Sequence, residues 1–193
     1  MAAMRGTLEA PAGLVYRPDL LSQAEHDPLV TRLEDLRFDP VVMHGQAARR
    51  TVRHFGYGYD FDSWDLRPTE PVPAWLLDLR ERAASLSNRP AEDFAQALVT
   101  RYPPGASIGW HRDAAAFGSV VLGVSLRSSC VMRFQRIARG GERRVFEQPL
   151  EPGSAYVLAG AARSTWQHSI PAVHDLRYSI TFRTIRSRGR TDP

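Results

Sequence analysis

The sequence predicts a mainly β protein with flanking helices, an α+β arrangement in which an antiparallel sandwich or jelly roll carries its helices on the outside. Three observations lead there. From Ala97 onward, seven short apolar runs alternate with turn residues over about ninety positions, with no long helical period between them. Pro103-Pro104-Gly105, Gly140-Gly141 and Pro152-Gly153 punctuate these runs as turns. Apolar residues at helical spacing occur earlier, so the helices flank the strands instead of alternating with them.

In chain order, the first third reads as helices and turns. Asp27 and Pro28 make an N-cap and a first helical residue, after which Leu29, Leu33 and Leu36 recur at helical spacing. Ser22 and Glu25 have capping-box spacing one turn earlier, but a helix begun there would carry Pro28 in its interior. A second helix begins at Pro73, places Leu76, Leu79, Ala83 and Leu86 on one face and stops before Pro90. Between the helices, His54 to Phe61 alternates aromatics with glycines and reads as a mobile loop with aromatic faces. Strands follow at Leu98 to Tyr102, Val120 to Leu126, Cys130 to Gln135, Arg143 to Gln148, Ala155 to Leu158, Trp166 to Ile170 and Leu176 to Ile185.

A chain of 193 residues suffices for one full core and is short for two, so a single domain is expected. Hydrophobic content of 43% and charged content of 24% are those of an ordinary soluble globule. No apolar run approaches the roughly 18 to 20 residues that span a bilayer, and Met1 to Gly6 lacks the apolar block of a secretory signal. The expectation is a cytoplasmic protein without membrane association, and no obligate protein partner is inferred. Cys130 is the single cysteine, which excludes an intramolecular disulfide; beside Val131 and Met132 it reads as core packing rather than a reactive thiol. The net charge of +4 permits attraction to polyanions, and all 25 basic residues are arginine. They cluster at Arg49, Arg50 and Arg53, from Arg133 to Arg144, and from Arg183 to Arg190. Clustered guanidiniums grip phosphates, although solvated faces show the same pattern.

His111-Arg112-Asp113 carries the chemistry. In an extended backbone, residues two apart point to one side, so His111 and Asp113 offer an imidazole nitrogen and a carboxylate oxygen to one ion. A further histidine completes two imidazoles and one carboxylate, a set that leaves three metal positions open and suits a non-haem Fe(II) oxygenase. Spacing leaves two candidates, His168 and His174, the latter beside Asp175. His26 reads as a solvated surface residue, His44 sits in a turn and His54 opens the aromatic loop. The second clue is the strand from Arg177 to Arg183, where Arg177, Ser179, Thr181 and Arg183 share one face and Tyr178, Ile180 and Phe182 the other. The two arginine backbones stand about 20 Å apart, and side chains leaning inward leave a gap near the span of a small dicarboxylate.

Tyr102-Pro103-Pro104-Gly105, His111-Arg112-Asp113, His168 and Arg177-x-Ser179-x-Thr181-x-Arg183, in that order, resemble the AlkB family of Fe(II)- and 2-oxoglutarate-dependent dioxygenases. The resemblance runs from about Val52 to Arg183 and includes His54-Phe55-Gly56-Tyr57. It implies a double-stranded β-helix core over about 52–185, an N-terminal helical extension over about 14–90 and a short basic C-terminal tail. It also implies iron held by His111, Asp113 and His168, because the family's distal ligand lies nine residues before the first arginine. His174 is then a loop residue. Arg177 would bind the distal carboxylate of 2-oxoglutarate with Tyr102 nearby, and Arg183 would lie near the iron-chelating end. Ser179 and Thr100 stand where the family usually or often has asparagine, so hydroxyls replace amides along the cosubstrate. Tyr57 would cover the pocket as a lid, with Phe55 and Tyr59 stacking on substrate or contacting phosphate. Trp110 and Trp166 would pack behind the ligand histidines, and Arg163 matches a recurrent arginine upstream of the distal one.

The implied activity is oxidative dealkylation of N-alkylated bases in DNA or RNA, a repair of alkylation damage that uses Fe(II), 2-oxoglutarate and O2. It releases aldehyde, succinate and CO2, and acts on a single-stranded or flipped-out base. Some relatives read the base with a second carboxylate two residues beyond the iron-binding one, where this chain has Ala115. An oxygenase acting on a protein or a small molecule is therefore the alternative. Ser179 and Thr100 motivate a third reading, a nucleic-acid-binding module with a vestigial iron site, against which the intact ligand set weighs.

Overall fold

The computed structural model describes residues 9–43, 45–59, 66–137 and 140–186. Among them the chain runs β1 (Leu14–Arg17), α1 (Gln23–Glu34), β2 (Asp39–Met43), β3 (Gln46–Phe55), β4 (Tyr57–Tyr59), β5 (Leu66–Pro68), α2 (Ala74–Ala84), β6 (Gln96–Tyr102), β7 (Ile108–His111), β8 (Phe117–Leu126), β9 (Cys130–Ile137), β10 (Arg143–Leu150), β11 (Ala155–Leu158), α3 (Gly160–Ser164), β12 (Gln167–Ile170) and β13 (Arg177–Ile185). His44, Asp60, Phe61 and the tail from 187 onward lie outside the described residues.

Seven strands form an antiparallel sheet in the order β1-β11-β8-β13-β6-β3-β2, four form a second in the order β10-β9-β12-β7, and β4 pairs with β5 in a separate ribbon. One buried cluster joins Tyr102, Val121, Tyr156 and Leu158 of the larger sheet to Met132, Phe134, Leu150 and Ile170 of the smaller, so the two pack face to face. The other face of the larger sheet is covered by Leu33 of α1 and Leu76, Leu79 and Ala83 of α2, which meet Val99, Leu122, Val124, Ile180 and Phe182. This is the mainly β sandwich of jelly-roll type that the alternating runs predict, with helices on its outside. No helix among the described residues is long and apolar enough to cross a membrane.

The first third departs from its reading as helices and turns, because it also contributes β1 to β5. β3 lies next to the sheet edge and is only partly covered, so it carries Arg49, Arg50, Arg53 and His54 without an apolar alternation. His54 and Phe55 belong to it, and Tyr57 to Tyr59 form β4, in place of the expected mobile loop. α1 begins one turn earlier than Asp27-Pro28 suggests: the Glu25 carboxylate accepts from the Ser22 backbone N–H at 2.8 Å and from its hydroxyl at 2.7 Å. Pro28 is inside the helix. The cap outweighs the lost backbone bond, and Arg82 of α2 adds a salt bridge to Glu25. His26 is not a solvated residue; it is buried, and its Nε2 accepts the backbone N–H of Arg127, a left-handed residue at φ 75°. α2 keeps its predicted start and buried face.

β13 is the central strand, paired with β8 on one side and β6 on the other. Tyr178, Ile180 and Phe182 face the helices, and Arg177, Ser179, Thr181 and Arg183 face the smaller sheet. Both faces are covered, so this is not the half-exposed strand that polar alternation ordinarily signals. On neighbouring β8, Gly123 pairs with Tyr156 of β11, and a Cβ at Gly123 would lie 2.1 Å from Tyr156 Cζ. Gly123→Ala must push that buried ring aside, at a cost of about 1 to 3 kcal/mol. A lowered urea midpoint with an unchanged m-value is the expected result.

Candidate active site

β7 and β12 are hydrogen-bonded neighbours, and His111 and His168 stand directly opposite each other in their register. Their ring centroids are 4.3 Å apart. His111 Nδ1 lies 2.9 Å from the Gly109 carbonyl and donates to it, which leaves Nε2 as the free acceptor. β7 ends at His111, and Asp113 follows it in the turn toward β8. Arg183 donates through Nε at 2.8 Å and approaches through Nη2 at 2.7 Å, both to Asp113 Oδ1. The other oxygen, Oδ2, stands 3.7 Å from His168 Nε2. That separation is below the sum of two metal–ligand bonds of roughly 2.1 Å each, so one ion can engage both atoms. Among the described residues, no three His, Cys, Asp or Glu side chains are already closed to the spacing of a filled metal site. The fit therefore rests on donor type, burial and placement on adjacent strands, and it suits Fe(II).

The charge states agree. Burial, and then the neighbouring His111, push His168 down to about 3. His111 is also lowered, again chiefly by burial. Burial opposes ionisation of Asp113, but Arg183, His168 and Arg163 together outweigh it and hold the carboxyl well below its usual range. At neutral pH the three groups are two neutral imidazoles and a carboxylate, the protonation states a metal requires. The same shifts predict acid sensitivity. An imidazole whose folded pKa is depressed contributes stability that is complete above its unfolded value, 6.5, and is lost as pH falls toward the folded one. Between roughly pH 6.5 and 5, His168 alone should cost the metal-free protein about 2 kcal/mol, and His111 acts in the same direction. Urea melts across that interval should show the loss, and His168→Gln should reduce it.

A cavity of about 420 Å3 opens between the sheets beside these donors. Its wall includes Thr100 and Tyr102 of β6, Ser179, Thr181 and Arg183 of β13, Tyr156 of β11, and Arg50, Val52 and His54 of β3. Thr100 pairs with Ser179 in register, and Tyr102 with Arg177, so the two hydroxyls that stand in place of amides lie side by side. Arg177 has no exposed surface and lies behind this wall, its Cζ 5.2 Å from the Tyr102 ring centre. One Nη donates to Ser125 Oγ at 2.9 Å, whereas Nε and the other Nη have no hydrogen-bond partner among the described residues. A buried guanidinium with two unpaired N–H groups fits a carboxylate, which would accept both. Arg183 is differently employed: its donors are committed to Asp113 and, at 3.1 Å, to Gln96 Oε1, and its Cζ lies 4.7 Å from the Phe117 ring centre. The two arginines are thus not the symmetric clamp that their shared strand face suggests.

On the substrate side the aromatic expectations divide. Tyr59 is on the wall, 5.7 Å from Phe117 between ring centres. Tyr57 is not among the wall residues; its carbonyl accepts from Gln96. Phe55 is 5% exposed and belongs to the core between α2 and the large sheet, so it is not a stacking residue. Trp166 is buried as expected, but Trp110 is half-buried and lines the cavity. Arg163 clamps the β7–β8 turn through the carbonyls of Asp113 and Ala114, at 3.2 and 3.1 Å. His174 is exposed in a loop and Cys130 packs at the edge of the inter-sheet core. The sequence reading does not single out Tyr156 or Gln96, names Arg50 only as one of an arginine cluster, and sets His54 aside. Of these, Tyr156 had a signal, the glycine that its ring requires across the strand pair.

The model of the 2OG-Fe(II) oxygenase superfamily matches residues 13–183. An Arabidopsis thaliana protein described as "Alkylated DNA repair protein ALKBH8 homolog" is 24% identical over 181 residues, covering 82% of this chain and 51% of its own. Mouse "Alpha-ketoglutarate-dependent dioxygenase alkB homolog 7, mitochondrial" is 32% identical over 181 residues, covering 88% and 71%. The solved structure of OsALKBH1 superposes with a TM-score of 0.68 at 17% identity, over 92% of this chain and 98% of that one. The chain spans between 24% and 51% of the length of the first ALKBH8-type relatives. It belongs to the AlkB family of 2-oxoglutarate- and Fe(II)-dependent oxygenases. Its cofactors are those of the superfamily: Fe(II), 2-oxoglutarate and O2.

Proposed function

We propose that this oxygenase removes alkyl groups from the nitrogens of DNA or RNA bases, with His111, Asp113 and His168 holding Fe(II) and Arg177 anchoring 2-oxoglutarate. One observation carries the reading: a cavity flanked by two imidazoles and a carboxylate backs onto a fully buried arginine with two unpartnered N–H groups. Bound iron and 2-oxoglutarate supply the oxidising power, converting O2 and the cosubstrate to succinate and CO2 while a substrate C–H bond is hydroxylated. The chain's own residues do the placing. Arg183 occupies one Asp113 oxygen and leaves the other for the ion, and the Gly109 carbonyl turns His111 Nε2 outward. Tyr102, Thr100 and Ser179 offer hydroxyls along the cosubstrate, while Leu98, Met132 and Ile170 keep that end of the cavity apolar and exclude water. Tyr59 and Trp110 present aromatic surfaces for a base, and Arg50 and Arg112 present charge for its phosphates. Hydroxylation next to nitrogen makes an unstable adduct that releases aldehyde and the repaired base.

Iron-loaded protein given 2-oxoglutarate and methylated single-stranded oligonucleotides should release formaldehyde, and His111→Ala should not. Strong succinate formation with every methyl group retained would rule the substrate out. A second reading, oxidation of a protein side chain or small molecule, is favoured by the burial of Phe55, the displacement of Tyr57 from the wall and the exposed Ala115 in place of a carboxylate. Replacing Trp110 and Arg112 together separates the two: base dealkylation should fall sharply, whereas succinate formation with the true substrate of the second kind should persist.

A further inference from the structure

Gln96 has no exposed surface, and its amide is committed on every side. Its Nε2 donates to the Tyr57 carbonyl at 2.8 Å and stands 3.4 Å from His54 Nδ1. Its Oε1 accepts from Arg183 Nη1 at 3.1 Å. The orientation is forced, because a guanidinium only donates: the oxygen must face Arg183, and the NH2 must face β4 and His54. Arg183 passes the connection on through its two contacts to Asp113 Oδ1.

Two features make this more than a satisfied core amide. β4 and β5 are three residues each and form a ribbon outside both sheets. An isolated two-stranded ribbon is locally weak, so a side-chain tie to the sheet has leverage over its position. Tyr59 of that ribbon lines the cavity. At the other end, Asp113 presents a single oxygen toward His168 because Arg183 holds the other. Gln96 is the cross-strand partner of Arg183, so one rigid strand pair carries the link.

We propose that Gln96 is a positioning residue that couples the seating of the β4–β5 ribbon over the cavity to the orientation of the Asp113 carboxylate, so that ion binding and ribbon closure strengthen each other. The coupling rests on the reading of His111, Asp113 and His168 as metal donors, and by linkage it acts equally in both directions. Loss of the Gln96 oxygen leaves a buried N–H of Arg183 unpaired and frees that side chain to turn on Asp113. Loss of the amide NH2 releases the Tyr57 carbonyl.

Co(II), which does not turn over, serves as the probe, with its ligand-field absorption reporting coordination and hydrogen exchange reporting the amides of 57–59. In the wild type, Co(II) should slow exchange in β4. Gln96→Met, which keeps the volume and removes all three hydrogen bonds, should weaken Co(II) about 10- to 100-fold and abolish that protection. Gln96→Glu keeps an acceptor for Arg183 and loses the donors, so it should bind Co(II) closer to wild type yet show no protection of β4; it decides the matter if the Met variant does not fold. Protection of β4 by Co(II) that survives in these variants overturns the coupling, as does unchanged Co(II) affinity in Gln96→Met. Wild-type protein that fails to bind Co(II), or binds it equally after His111→Ala, overturns the metal reading itself. Binding that depends on His111 but leaves β4 exchange unaltered removes the coupling alone.

Discussion

Arg177→Met should raise the dissociation constant for 2-oxoglutarate by roughly 100- to 1000-fold, the cost of removing one partner of a buried charge pair. The same substitution should leave the ligand-free protein at least as heat-stable as the wild type. The two effects have opposite signs for one reason. In the ligand-free chain, Arg177 is a buried cation whose Nε and one Nη have no partner, and replacing such a group by an apolar one of similar length relieves a penalty. On the proposed assignment, those N–H groups would donate to the dicarboxylate as charge-assisted hydrogen bonds. Calorimetric titration of Mn(II)-loaded protein checks the first effect, and scanning calorimetry without ligand checks the second. A Met variant that binds 2-oxoglutarate normally, or melts well below the wild type, is incompatible with Arg177 as an anion anchor.

Asp113→Ala and His111→Ala should both reduce turnover to background, yet the first should destabilise the metal-free fold far more than the second. Asp113 faces Arg183 in a largely enclosed ion pair, with side-chain exposures of 5% and 13%. Deleting the carboxylate strands that guanidinium and should cost about 3 to 5 kcal/mol. His111 has no such dependent partner; its Nδ1 bonds only a backbone carbonyl, and its loss should cost about 1 kcal/mol. Urea midpoints of the two variants, measured with chelator present, make the comparison. Equal destabilisation would mean that Arg183 does not depend on Asp113.

The strands of the β sandwich were legible because turn residues mark their ends. The motif order brought His111, Asp113 and His168 to one cavity, although the extended-chain argument covers only part of it, since β7 ends at His111 and Asp113 lies beyond the strand. The same period showed which residues of β13 share a face, but an arginine face reads alike whether water or a second sheet covers it. Burial of Arg177 is a tertiary fact. β3 was illegible for the opposite reason: near a sheet edge, only part of its surface is covered and its sequence stays polar. The aromatic segment after it misled, since alternating aromatics and glycines describe a loop as well as a strand end. Phe55 entered the core, while Tyr59 reached the cavity. His26 shows the limit most plainly, because the backbone N–H that keeps it buried belongs to Arg127, 101 residues away.

The proposed metal donors stand on the smaller sheet and its β7–β8 turn, whereas Arg177, Ser179 and Thr100 stand on the larger. On the proposed assignment, oxidant and anchor belong to different leaves of the sandwich, which pack roughly 10 Å apart. That spacing is a ruler for the keto acid. Phe134 and Leu150 from one leaf and Leu158 from the other pack between the leaves without themselves lining the cavity. The chain length of the dicarboxylate accepted is then written into the thickness of an apolar core, and thinning that core should shift the preference toward a shorter acid.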